Sequence, residues 1–91
     1  MDLSKETLLR IVQMSKDCAA GLWKFIDALP DTQKHELTAM VWYGGDYFFD
    51  FNTALQESKR IPPTITSDYL ATKTPLHLYL LNALEKVEPI G

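Results

Sequence analysis

The sequence predicts an all-α protein, a compact bundle of four to five short helices forming one domain over residues 1–91. Three observations carry this. Apolar residues recur at three- and four-residue spacing in several stretches, the spacing that gathers them on one face of a helix. Short breaks containing Gly, Pro or Asp separate those stretches. No stretch alternates with the period of two that a half-buried strand requires.

The first element opens at Ser4, whose hydroxyl can accept from a free amide of the first turn. Leu8, Ile11, Val12, Ser15, Ala19, Leu22, Ile26 and Leu29 then follow at helical spacing, as one long or one broken helix. A break near Gly21 is expected, because glycine inside a helix costs about 1 kcal/mol relative to alanine. Cys18 falls on the apolar face and reads as a small buried hydrophobe. Leu29-Pro30 ends the element, since the residue before proline is pushed out of the helical region.

Asp31 is the expected cap of the next helix, Thr32 to Tyr43, with Leu37, Met40 and Val41 as its apolar stripe and Lys34, Glu36 and Thr38 on its polar side. Gly44 is placed to take the left-handed conformation that ends a helix, with Gly45 free to reverse the chain. Asp46 then caps a helix running from about Tyr47 to Lys59, with Phe48, Phe51, Leu55 and Ser58 on one face. Ile61-Pro62-Pro63-Thr64 reads as a stiff extended connector, the segment least expected to be helical. Ser67 opens a short helical turn through Ala71. Thr74-Pro75 is a start signal for the last helix, which carries Leu76, Tyr79, Leu80, Ala83, Leu84 and Val87 and stops at Glu88-Pro89.

Composition restricts the function. At 46% hydrophobic and 23% charged residues the chain is globular, and no apolar run approaches the roughly 20 residues of a bilayer span. With one cysteine, no intrachain disulfide can form. That feature, with an N-terminus that shows no secretion signal, leads us to expect a cytoplasmic protein. The segment from Asp27 to Glu57 has six acids and one base, a net of −5. Such a charge repels phosphate backbones, so direct nucleic-acid binding is not expected and a basic protein partner suits the sign better.

Motifs for chemistry are sparse. Neither phosphate-loop pattern is present, and no serine has the context of a strained nucleophile turn. His35 and His77 lack a second ligand at i+3 or i+4, so no metal and no cofactor is expected. Asp46 and Asp50, four residues apart, would share a helix face as a carboxylate pair. Like charges at that spacing also occur on solvated first turns, and no catalytic residue is assigned.

The stretch "MVWYGGDYFFDF", residues 40 to 51, holds six of the ten aromatic side chains. Trp42, Phe48 and Phe51 are in phase with apolar stripes and are expected in the core. Tyr43, Tyr47 and Phe49 are out of phase. With Asp46 and Asp50 as a rim they form the candidate partner-binding surface, for a protein partner or a second copy in a homodimer. The expected function is a non-enzymatic interaction module. Two alternatives stand beside it: an inhibitor from a phage or mobile element that blocks a nucleic-acid-handling protein through its acidic face, and a small ligand-binding protein or enzyme using Asp46 and Asp50.

The run from Phe25 to Ser58 and the later "YLATKTPLHLYLLNAL" resemble a bacterial domain-of-unknown-function family, number 3775. The likeness falls on Leu29, Pro30, Glu36, Leu37, Trp42, Gly44, Gly45, Asp46, Tyr69, Leu70, Thr74, Pro75 and Leu76, within Phe25 to Gly91. The arginine that the family places between its glycines is absent here, and the Tyr69 to Thr74 spacing is one residue longer. The resemblance implies a helical fold and a bacterial or phage source, and it implies no activity.

Overall fold

The chain begins its first helix where a hydroxyl can cap it: Ser4 Oγ accepts from the Thr7 amide at 3.1 Å, and α1 runs over Lys5–Lys16. In this computed structural model, which describes residues 2–73 and 75–87, five more helices follow. They are α2 (Leu22–Asp27), α3 (Asp31–Gly44), α4 (Phe51–Ser58), α5 (Pro63–Thr72) and α6 (Leu76–Val87). The all-α expectation holds with six helices in place of four to five. The extra element arises because the first apolar stripe is split and because the diproline segment is helical.

The split has a local cause. Cys18 adopts a left-handed backbone with φ 52°, its amide donates to Ser15 O at 3.2 Å and the Ala19 amide to Met14 O at 2.9 Å. These two bonds are a Schellman closure, which satisfies carbonyls of the last turn. Cys18 is therefore exposed rather than buried: the residue that turns the chain out of the helix leaves the apolar face. Pro63 likewise overturns the expected connector. It occupies the first turn of α5, where its missing N–H costs nothing and its fixed φ suits the helix. Ser67 is consequently inside α5, buried, and donates to Asp27 Oδ1 at 2.8 Å.

α3 is the central element, packed against α4, α5 and α6, while α1 packs on α2 and α6, and α2 on α5. Its central position corrects the polar-side expectation, because Lys34, Glu36 and Thr38 are buried along with Leu37, Met40 and Val41. Each of the three has a partner: Lys34 Nζ lies 3.6 Å from Asp27 Oδ1, and Thr38 Oγ1 donates to Lys34 O. Glu36, only 5% exposed, accepts from the Asp2 and Leu3 amides at 2.9 and 2.8 Å and ties the start of the chain to the core. Leu3, Leu8, Ile11, Ile26, Leu70, Leu76 and Leu80 complete one apolar cluster around α3. The radius of gyration, 11.9 Å, is close to the ~12 Å of a compact chain this long.

One smaller correction concerns a cap. Asp31 is the first residue of α3 rather than its cap, a position held by Pro30. Ser15 supplies a contact no local pattern shows: its Oγ accepts from the His77 amide at 3.2 Å and lies 3.2 Å from Nδ1 of the same histidine, joining the end of α1 to the start of α6. Thr74 and Glu88-Pro89, the expected start and stop of α6, lie outside the described residues.

Candidate functional site

The aromatic stretch straddles the end of α3, and its two glycines have different tasks from those expected. Neither takes a positive φ; the left-handed residue is Asp46, with φ 63°. The Asp46 amide donates to Tyr43 O at 3.3 Å and the Tyr47 amide to Trp42 O at 3.0 Å, the same closure that ends α1. Gly44 is instead a packing residue. A methyl group there would lie 2.8 Å from the Tyr79 carbonyl carbon and 3.0 Å from the Ala83 nitrogen, so only glycine lets the α6 backbone sit against α3. At Gly45 a methyl group would meet side chains, Tyr47 Cε2 at 2.8 Å and Tyr79 Cδ1 at 3.2 Å.

Because Asp46 ends one helix, it cannot begin the next. Residues 45–50 are irregular and α4 starts at Phe51, capped by Asp50, whose Oδ1 accepts from the Thr53 amide at 2.7 Å and Oδ2 from the Thr53 hydroxyl at 2.9 Å. Those two hydrogen bonds hold the Asp50 carboxyl below its usual range, against a small opposing effect of desolvation. Asp46 pairs with Lys86, whose ammonium also donates to Tyr43 O at 2.8 Å. The carboxylates thus do not line one helix face, and each is bound to its own partner.

The aromatic side chains divide. Trp42 and Phe51 pack partly buried on the core; Phe48 is partly buried with its ring 5.6 Å from that of Trp42. Tyr43, expected outside, also packs on the core, 6.2 Å edge-on to Phe51 and with Lys86 Nζ 4.8 Å from its ring centre. Tyr47 is 57% exposed and Phe49 fully exposed at 104%. Of the five candidate partner-binding residues, Asp46, Tyr47, Phe49 and Asp50 are at the surface, and Tyr43 is a buttress behind them.

A second group gathers beside this loop. Lys73, in the link after α5, puts its Nζ 4.9, 5.6 and 5.2 Å from the ring centres of Tyr47, Tyr69 and Tyr79 and 3.4 Å from Tyr47 Oη. All three fall within the cation–π range, and at Tyr47 the ammonium is nearer the hydroxyl oxygen than the ring centre. Desolvation acts to lower the Lys73 pKa but is outweighed by the hydrogen bonds and charge interactions of Tyr47 and Tyr69, so it lies above the ordinary lysine value. Tyr69 is itself fixed, its hydroxyl accepting from Trp42 Nε1 at 2.9 Å.

A family model described as a protein of unknown function (DUF3775) matches residues 19–88. The chain belongs to this family. No curated protein matches it, and no solved structure does. Among the residues carrying the DUF3775 resemblance, Glu36 holds the N-terminal amides, Trp42 holds Tyr69, Gly44 admits α6, Asp46 closes α3, and Leu37, Leu70 and Leu76 are core. They are points where the helices of this chain meet. Sequence reasoning missed Tyr69, Lys73, Tyr79 and Lys86. Tyr69 and Lys73 stand four apart, a spacing that shares a helix face, but nothing local joins them to Tyr47. Among the described residues no helix is long and apolar enough to cross a membrane.

Proposed function

We propose that this protein is a non-enzymatic interaction module that binds a protein partner through the loop between α3 and α4, with Tyr47 and Phe49 as anchors and Asp46 and Asp50 at the rim. The observation that carries the reading is the full exposure of Phe49 on a short loop anchored on both sides. Asp46 on Lys86 restrains one end and the Asp50 cap the other. A large apolar side chain held out by a pre-ordered loop loses little conformational freedom on binding, and aromatic anchors of this kind dominate protein interfaces. The partner is expected to offer an apolar pocket with basic groups near Asp50.

The acidic-face inhibitor draws less support. Asp27, Asp46 and Glu57 are paired with Lys34, Lys86 and Arg60, and Glu36 is buried on the N-terminal amides, which offsets most of the charge such a face would need while leaving Asp50 available at the rim. An enzyme built on Asp46 and Asp50 lacks the shared helix face its chemistry assumed.

The test is Phe49→Ala and Tyr47→Ala, with sedimentation equilibrium for self-association and affinity capture from the source cell. Phe49→Ala should leave helical circular dichroism intact and abolish capture or self-association. Unchanged binding, or a strict monomer that retains no partner in either form, removes the proposal.

A further inference from the structure

The Lys73 ammonium lies 4.9 to 5.6 Å from the centres of three tyrosine rings drawn from three parts of the chain, Tyr47 from the loop, Tyr69 from α5 and Tyr79 from α6, and meets Tyr47 at its hydroxyl edge. Two of these walls are fixed. Tyr69 is held by Trp42 Nε1, and Tyr79 belongs to the stretch of α6 whose backbone is seated against Gly44. The third wall, Tyr47, is more than half exposed and rides on the proposed contact loop. Gly45 is required for this arrangement, since a methyl group there would fall within 3.2 Å of both the Tyr47 and Tyr79 rings.

The occupant has room to leave. Lys73 is outside the helices, with its backbone extended at φ −79° and ψ 109°. It also borders a cavity of about 330 Å³ lined by Cys18, Leu22, Trp23, Ala71 and Leu76. Withdrawing its side chain from the rings breaks no helical hydrogen bond, and the aliphatic stem can lie along the apolar cavity wall while the charge stays in water.

We propose that Tyr47, Tyr69 and Tyr79 form an ammonium-binding cage, closed in the free protein by Lys73, which a lysine side chain of the partner enters by displacing it. Aromatic rings around a cation are the recognised means of binding alkylammonium groups, through the negative faces of the rings. Lys73 then acts as a built-in competitor: the incoming cation is bound only in the fraction of molecules whose cage is open, and its apparent affinity falls by that fraction. This rests on the interaction-module reading only for the source of the incoming lysine.

The experiment is a proton NMR titration of the full chain with tetramethylammonium and, separately, with Nα-acetyl-lysine amide. The wild type is compared with Lys73→Ala and Lys73→Gln. Both variants should show saturable shifts confined to the rings of Tyr47, Tyr69 and Tyr79, with an apparent affinity at least about tenfold tighter than the wild type. Equal titration of wild type and variants overturns the proposal. So does loss in both variants of the Overhauser contacts from Gly45 to the Tyr47 and Tyr79 rings, because the cluster is then packing organised by Lys73 rather than a site. Phe49→Ala in the Lys73→Ala background should keep probe binding while losing partner capture, so the failure of the cage and the failure of the interface give different results.

Discussion

Helices α1 and α3 stop in the same way, yet only one stop builds a surface. Each closes with a Schellman pair of hydrogen bonds around a non-glycine residue in the left-handed region, Cys18 at one and Asp46 at the other. After α1, whose last turn is tied to α6 only through the Ser15 side chain, the chain turns through a few residues into α2 and leaves the thiol exposed. After α3 the same turn is anchored from outside. Gly44 lies against the backbone of α6, and Asp46 is paired with Lys86. Local capping is therefore indifferent to function, and it is the tertiary anchoring that converts a helix end into a defined loop able to present Tyr47 and Phe49.

The strongest way to break this contrast is to place a methyl group at each glycine near the two stops. Gly44→Ala must separate two backbones and should cost about 3 kcal/mol or more by urea denaturation, the upper end of what core overpacking costs. Gly21→Ala, whose methyl group meets only Met14 Cε at an ordinary 3.7 Å, should be neutral or stabilise by up to about 0.5–1 kcal/mol through the unfolded chain. Similar effects at both positions would remove the claim that only α3 ends with its backbone pressed against another helix.

A smaller effect sharpens it. Lys86→Gln removes the outside anchor of Asp46, and the pair is exposed enough that it should cost no more than about 1 kcal/mol. The visible consequence should be in the loop, as faster amide exchange at residues 45–50 with α3 unchanged. Cys18→Gly works in the opposite direction, relieving a left-handed β-carbon clash, and should raise stability by about 0.5–1 kcal/mol. No gain would mean that the α1 stop is not strained.

The finest test uses pH. Because its hydrogen bonds lower the Asp50 pKa in the folded state, the stabilisation by its charge is present above the unfolded value and is lost as pH falls through the lower folded one. The melting-temperature deficit of Asp50→Ala should therefore be full at pH 7 and shrink once pH drops below about 4. A deficit constant down to pH 2.5 would show that the cap acts without its charge.

Much of the helical pattern was legible because it is local. The Ser4 cap, the stripes of α1 and α6 and the punctuation at Pro30 depend on neighbours within a turn or two, and their residues are where the spacing indicated except Val87, which is exposed at the end of α6. The errors share a cause. Cys18, Gly44 and Asp46 were misassigned because which of several adjacent residues takes the left-handed conformation depends on what packs against them. At α3 the glycines were needed for close approach, so Asp46, whose short polar side chain tolerates that conformation, took the turn. Pro62-Pro63 could begin a helix or avoid one, and packing of α5 on α2 and α3 selected the helix. Within the candidate site, Tyr47, Phe49, Asp46 and Asp50 could be named from their phase. Tyr69, Lys73, Tyr79 and Lys86 could not, because the contacts that bring them to the loop are remote in the chain: Trp42 to Tyr69 spans 27 residues, Tyr47 to Lys73 spans 26 and Tyr43 to Lys86 spans 43.

Helicity, the approximate helix ends and the concentration of aromatic residues at one joint follow from the order of residues along the chain. Which of those aromatics face water, which carboxylates are already paired, and the gathering of three tyrosines about one lysine follow from the packing of the helices. The physical reason is range. Backbone hydrogen bonding and apolar phase are set within a few residues, whereas exposure, ion pairing and ring–cation contact depend on which helix faces are brought together, and here α6 crossing α3 at Gly44 brings them together.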